Sequence, residues 1–167
     1  MNQKELNEIL EKHKKWLNGD QNGERANLSN ADLRRANLIG TDLIGANLIG
    51  TDLSNADLSN VNLSGANLTF ADLSNSDLSN TKLNWINTQE LKGQKIISAQ
   101  VDTSRKNNLI SYWADLGIWT TGCFQGTLEE LKESIEKTHK DNKFLKDRYY
   151  RVIDFILQEA KYDEVEE

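Results

Sequence analysis

Proline is absent from this chain of 167 residues, cysteine and methionine occur once each, and histidine only twice. Without proline there is no stiff polyproline spacer between domains. A lone Cys123 excludes an internal disulfide framework and fits a reducing compartment. One cysteine and two histidines are too few for a zinc site, and no other metal or cofactor is expected. No apolar run approaches membrane-spanning length, and the N-terminus lacks the apolar core of a signal peptide, so a soluble, cytoplasmic protein is expected. Basic residues are outnumbered. The net charge is −6, neutral over residues 1–25 and shared equally between 26–85 and 86–167. Non-specific nucleic-acid binding needs a basic face, and nothing here supplies one. No glycine-rich loop of the G-x-x-x-x-G-K type is present to cradle a phosphate.

What the chain does have is one five-residue unit written twelve times, from Ala26 to Trp85. Leucine stands at 28, 33, 38 and every fifth place to 83. Two places earlier is a small or β-branched residue, and between them is Asn or Asp, with Lys82 the exception. A period of five fits neither a lone helix nor a flat strand. Such strict repetition marks an array whose units cannot bury their apolar residue alone. Leucine and the small residue can both point inward only if the chain turns between units, so each pentapeptide forms one side of a coil.

This A-(D/N)-L-X-X pattern resembles the pentapeptide repeat family. The resemblance implies a β-solenoid: a short right-handed, four-sided β-helix with four pentapeptides per coil, hence about three coils. Leu28, Leu48 and Leu68 would then stack on one side, and Asn27, Asn47 and Asn67 would form an amide ladder outside them. Coils pair like neighbouring strands, so both ends are open edges that need caps.

The flanks supply candidates. Residues 1–25 read as an N-terminal capping helix and linker: Leu6, Ile9, Leu10, His13 and Leu17 line one stripe, and Asn18-Gly19 stops it. His13 reads as an interface residue. After Trp85 the leucine fails, and residues 86–167 read as a small α+β module. Strands are expected over 94–101, 109–114 and 117–124. Thr127 then opens a helix with a capping box, and Asp141 is the expected cap of the last helix. The Trp-rich strand, Gly122-Cys123, Thr127, His139 and a Tyr-bearing helix look like the C-terminal module of other pentapeptide repeat proteins, some from phages.

Four groups of residues are candidates for function. Ile39, Ile44 and Ile49 occupy the slot after leucine, where serine is usual, and Phe70 is a further apolar outlier. They form a belt that either this chain or a partner covers. Asp52, Asp57, Asp72 and Asp77 stand on two adjoining sides. Some members of the resembled family mimic DNA at the saddle of a type II topoisomerase, but six aspartates offset by Arg34, Arg35 and Lys82 fall short of the charge density of a duplex. Arg105 and Lys106 sit in a polar turn where they can hold an anion, while Tyr112, Trp113, Trp119 or Phe124 stack on a ring. Cys123 and His139 are the one conceivable nucleophile–base pair, without a third group or oxyanion-hole motif.

The reading that follows is a non-enzymatic binding protein acting through its C-terminal module and the isoleucine belt, with a protein partner or self-association. Its alternatives are nucleotide sequestration, as in phage anti-defence, and inhibition of a topoisomerase by DNA mimicry. Arg105, Lys106, Trp113 and Trp119 are the expected contacts.

Overall fold

A computed structural model describes residues 1–101 and 108–162. They divide into two compact units, Met1–Gln94 and the chain from Lys95 onward, each with its own core.

The first unit is a coil behind one helix. Parallel bridges join Asn27 to Asn47, Asp32 to Asp52, Asn37 to Asp57 and Asp42 to Asn62, then repeat one coil later. Four bridges in every twenty residues make the coil four-sided. We number its sides by these ladders: side 1 carries residues 27, 47, 67 and 87, side 2 carries 32, 52, 72 and 92, side 3 carries 37, 57 and 77, and side 4 carries 42, 62 and 82. Each bridge is a pair of backbone hydrogen bonds. On side 1, Leu28 N–H donates to the Asn47 carbonyl at 2.8 Å and Asn47 N–H to the Ala26 carbonyl at 2.9 Å. The leucines fill the interior, none more than 5% exposed, and each contributes about 2 kcal/mol of apolar burial. Thr51 and Thr81 stand inside in place of alanine because their hydroxyls donate to the Leu28 and Leu58 carbonyls at 2.7 and 2.9 Å.

The outward Asn or Asp has a structural reason. Its Oδ1 accepts the backbone N–H two residues on, as in Ser29 to Asn27, Ser54 to Asp52 and Ser74 to Asp72, at 2.9–3.3 Å. That Asx turn bends the chain at the corner. Lys82 has no acceptor to offer there. The Ser74 hydroxyl and N–H hold the Asp72 carboxyl below its usual range, and Ser79 does the same for Asp77. The last residue of each unit is left-handed, with φ of 56° at Asn30 and 64° at Gly40. Asn and Gly tolerate that region best, but Arg35, Phe70, Trp85 and Glu90 also occupy it.

The sequence reading ends the repeats at Trp85, yet the bridges continue through Asn67–Asn87 and Asp72–Lys92. Leucine is missing from residues 86–90, but Asn87 still makes its corner bond, to Gln89 N–H at 3.1 Å. Backbone pairing with the coil below carries the chain on.

Helix α1, Gln3–Leu17, is closed by a capping box between Asn2 and Glu5. It buries Leu6 and His13. His13 Nδ1 accepts the Ala26 N–H at 3.0 Å, which ties the helix to the start of the coil. The ring is therefore neutral, with its proton on a buried Nε2. Burial holds the His13 pKa below its ordinary 6.5, against the pull of Asp42. The unfolded chain then binds the proton more readily than the folded one. This contribution is complete above about pH 6.5 and is lost as pH falls through the lower folded value. Thermal unfolding at pH 7.5 and pH 5 should show the wild type losing more stability on acidification than His13→Gln. Equal losses would contradict the assignment.

The second unit is a four-stranded antiparallel sheet with two helices. Strands β1 (Ile96–Val101), β2 (Asn108–Trp113), β3 (Ile118–Thr121) and β4 (Phe124–Gly126) pair in chain order. Three strands are expected from the sequence. The Gly122-Cys123 turn, with Gly122 at φ 51°, breaks the third into two. Helix α2, Leu128–Thr138, starts at the Thr127–Glu130 capping box. Helix α3 spans Lys143–Tyr162. Its cap is Asn142 rather than Asp141, since Asn142 Oδ1 accepts from Leu145 N–H at 3.0 Å. The core joins Val101, Ile110 and Trp119 from the sheet to Leu131, Ile135, Tyr149, Ile153 and Ile156 from the helices.

Candidate functional site

The four groups of candidates fare differently in the fold. Arg105 and Lys106 lie outside the described residues. Trp113 and Trp119 are each 1% exposed, so they are core residues rather than ligand contacts. Tyr112, opposite Trp119 in the β2–β3 register, stacks on it at 4.7 Å between centroids. Tyr112 and Trp119 each spend one ring face on this stack, which a run of alternating residues in a short sheet does not reveal.

Three other candidates meet. The turn between β3 and β4 carries Cys123 and Phe124 to the C-terminal end of α2, which His139 caps. A cleft of about 210 Å³ is lined there by Cys123, Phe124, Ser134, Thr138, His139 and Tyr149. Cys123 is exposed. The His139 ring stacks on Tyr149 at 5.1 Å. The shared cleft is what fifteen intervening residues conceal in the sequence.

A second depression was missed by sequence reasoning. Gln100 and Val101 at the end of β1, with Phe144, Arg148, Arg151 and Val152 of α3, line a groove of about 380 Å³. The Arg148 guanidinium sits 4.6 Å over the Phe144 ring. Arg151 Nε donates to the Asp147 carbonyl at 3.1 Å. Phe144 and Phe155 are 62% and 49% exposed. Residues 144, 148, 151 and 155 recur at helical spacing on the face away from the α3 core residues. The signal that would have found them is aromatic residues at the same period as arginines.

On the coil, Ile39 is 49% exposed, while Ile44 and Ile49 are half-buried. Phe70 is 58% exposed, and Trp85, which the sequence reading passed over, is 62% exposed. The acidic ladder is partly neutralised. Arg34 pairs with Asp32 at 2.6 Å and reaches Asp52 at 3.7 Å, and Lys92 tops the same side. The hydrogen bond from Arg34 holds the Asp32 carboxyl well below the usual range.

A profile of pentapeptide repeats matches residues 24–60 and 46–84 in eight copies. The chain belongs to the pentapeptide repeat family. The family implies a right-handed, four-sided β-helix, in accord with the bridges. A pentapeptide repeat protein from the cyanobacterium Cyanothece is 37% identical over 42% of this chain and 52% of its own, with a TM-score of 0.36. One from Nostoc is 31% identical over 49% of this chain and 84% of its own, with a TM-score of 0.22. QnrB1, a plasmid-mediated fluoroquinolone resistance protein, is 30% identical over 41% of this chain and 36% of its own, with a TM-score of 0.27. The matched stretch thus spans about half of the Cyanothece protein and about a third of QnrB1. The repeat sequence, not these TM-scores, carries the assignment. No curated protein matches. No described helix of this pentapeptide repeat protein is long and apolar enough to cross a membrane, and no described cluster of His, Cys, Asp and Glu is arranged to hold a metal.

Proposed function

We propose that this chain is a non-enzymatic binding protein whose C-terminal unit takes an acidic segment of a protein partner. The observation that carries the reading is the groove between β1 and α3. In a chain of net charge −6, it sets two guanidiniums beside an exposed phenylalanine. Arginine with an aromatic neighbour suits a carboxylate next to an apolar side chain. Family members work as interaction proteins, which agrees with this assignment. Nucleotide binding is the second reading. A groove of about 380 Å³ falls within the size of small-ligand sites, and the same groups would take a phosphate and a base. DNA mimicry has less support, because Arg34 and Lys92 offset the acidic ladder. Among the described residues that line the Cys123–His139 cleft there is no carboxylate or amide side chain to orient His139 as a base.

Fluorescence anisotropy with a labelled Asp/Glu/Phe-containing peptide tests the proposal, with a nucleotide panel beside it. Binding should weaken by about tenfold or more in Arg148→Glu/Arg151→Glu, as for a lost charge-assisted hydrogen bond. Peptide affinity unchanged by the double charge reversal, or no peptide binding at all, would sink it. Saturable nucleotide binding that the double variant loses would put the second reading first.

A further inference from the structure

We infer that side 1 of the coil is a self-association surface, on which two copies of this chain meet about a two-fold axis parallel to the coil axis. Three observations converge on it, and none involves the groove of the second unit.

The first is charge. Side 1 is the one side whose ladder is asparagine throughout, Asn27, Asn47, Asn67 and Asn87, whereas Asp or Lys enters each of the others. Between the Glu24-Arg25 corner and Glu90, side 1 and its corners hold no ionisable side chain. Over Asn47, Asn67 and their corners, above the Glu5, Glu8, Lys12, Glu24 and Arg25 that line a cleft with Asn27, two copies of a chain carrying −6 can meet without opposing like charges.

The second is where the outward apolar residues fall. The corner that opens side 1 carries Ile44 and Trp85, and the corner that closes it carries Ile49 and Phe70. Trp16 of α1 joins the opening corner: a Cβ built on Gly45 would lie 3.8 Å from its Cη2. Of the apolar belt, Ile39 alone lies elsewhere. Phe70 and Trp85 hold φ of 60° and 55°. A bulky residue is less favoured in this region than Asn or Gly, yet both side chains remain exposed.

The third is shape. The opening corner stacks Gly45, Gly65 and Trp85 at successive rungs, about 4.8 Å apart. Trp16 lies beside Gly45, and nothing approaches Gly65 within 4 Å. Gly65 therefore leaves an open notch one rung above Gly45 and one rung below Trp85. Half a turn about an axis parallel to the coil exchanges the two corners and leaves heights unchanged. It brings the partner's Phe70 against this notch, five residues or about 1.2 Å above Gly65. The same operation sets the partner's Ile49 across from Ile44, with the same offset. By symmetry both knobs enter both notches, as an isologous contact requires.

The face is only about 14 Å tall. That is small for a tight dimer, so association should depend on concentration. Sedimentation velocity from about 5 µM to about 0.5 mM covers the range expected for such an interface. The wild type should move from 19.0 kDa toward twice that mass. Phe70→Asn restores the residue that suits the left-handed corner and should fold at least as well, yet weaken association by about tenfold or more. Gly65→Asn, which fills the notch, should act likewise. The register has its own readout in a Cys123→Ser background. Ile44→Cys mixed with Ile49→Cys should give an oxidised cross-linked dimer, while neither variant alone should. A wild type that stays monomeric throughout, a Phe70→Asn variant that dimerises undiminished, or a mixture that fails to cross-link would each overturn the inference.

Discussion

Leu58→Lys should prevent the coil from folding. Leu58 is 0% exposed, in the interior of a coil closed on four sides. A lysine there has no path along which its amine can reach water, unlike one at the edge of a helix. Burying the unpaired ammonium costs several kcal/mol after relaxation, about as much as a whole domain's stability of roughly 5–15 kcal/mol. The loss spreads because each coil templates the next: Leu58 N–H donates to the Asp77 carbonyl, and Asp57 N–H to that of Ala36. The expected result is insoluble protein, or protein without protected amides over residues 26–92 in hydrogen exchange. Two controls bracket it. Leu58→Met keeps the volume and should cost less than about 1.5 kcal/mol. Ser59→Lys puts the same charge one residue along, in an outward slot, and should be near neutral. A soluble Leu58→Lys protein with wild-type protection would contradict the interior placement.

Gly23→Ala should detach α1 from the coil. A Cβ on Gly23 would overlap the backbone N and Cα of Trp16 and lie 2.6 Å from the Lys15 carbonyl carbon. These are backbone atoms in the last turn of the helix, so no side chain can swing aside. The neighbouring hydrogen bond from Glu24 N–H to the Lys12 carbonyl, 3.1 Å, would open as the helix and the linker separate. His13 would lose its Ala26 donor with it. Overpacking of this kind costs about 1–3 kcal/mol, and for a unit of this size the upper half of that range lowers Tm by about 10–20 °C. Differential scanning calorimetry should show the shift. Gly40→Asn is the comparison: Gly40 has φ 64° and open space around it, so asparagine should be tolerated. A Gly23→Ala transition at the wild-type temperature would mean that the helix and coil are not in the contact described here.

The sequence by itself determined the coil, because a pentapeptide repeat is a local code. Each unit carries its own inward leucine, its Asx turn and its left-handed corner, and its partners stand at a fixed twenty-residue separation. Asn27 facing Asn47, or Leu58 inside and Ser59 outside, follows once the coil has four sides. The ladder's extension to Lys92 was not legible, since backbone pairing holds Asn87 and Lys92 in place without the leucine. The second unit is different. There Trp119, an expected ligand contact, is buried, and Phe144, which the sequence did not single out, is exposed. Cys123 and His139 share a cleft, and Arg148 and Arg151 a groove. Those outcomes rest on contacts between segments far apart in the chain. A strand or helix pattern says that one face is apolar, and only tertiary packing decides which aromatic residue ends up beneath it.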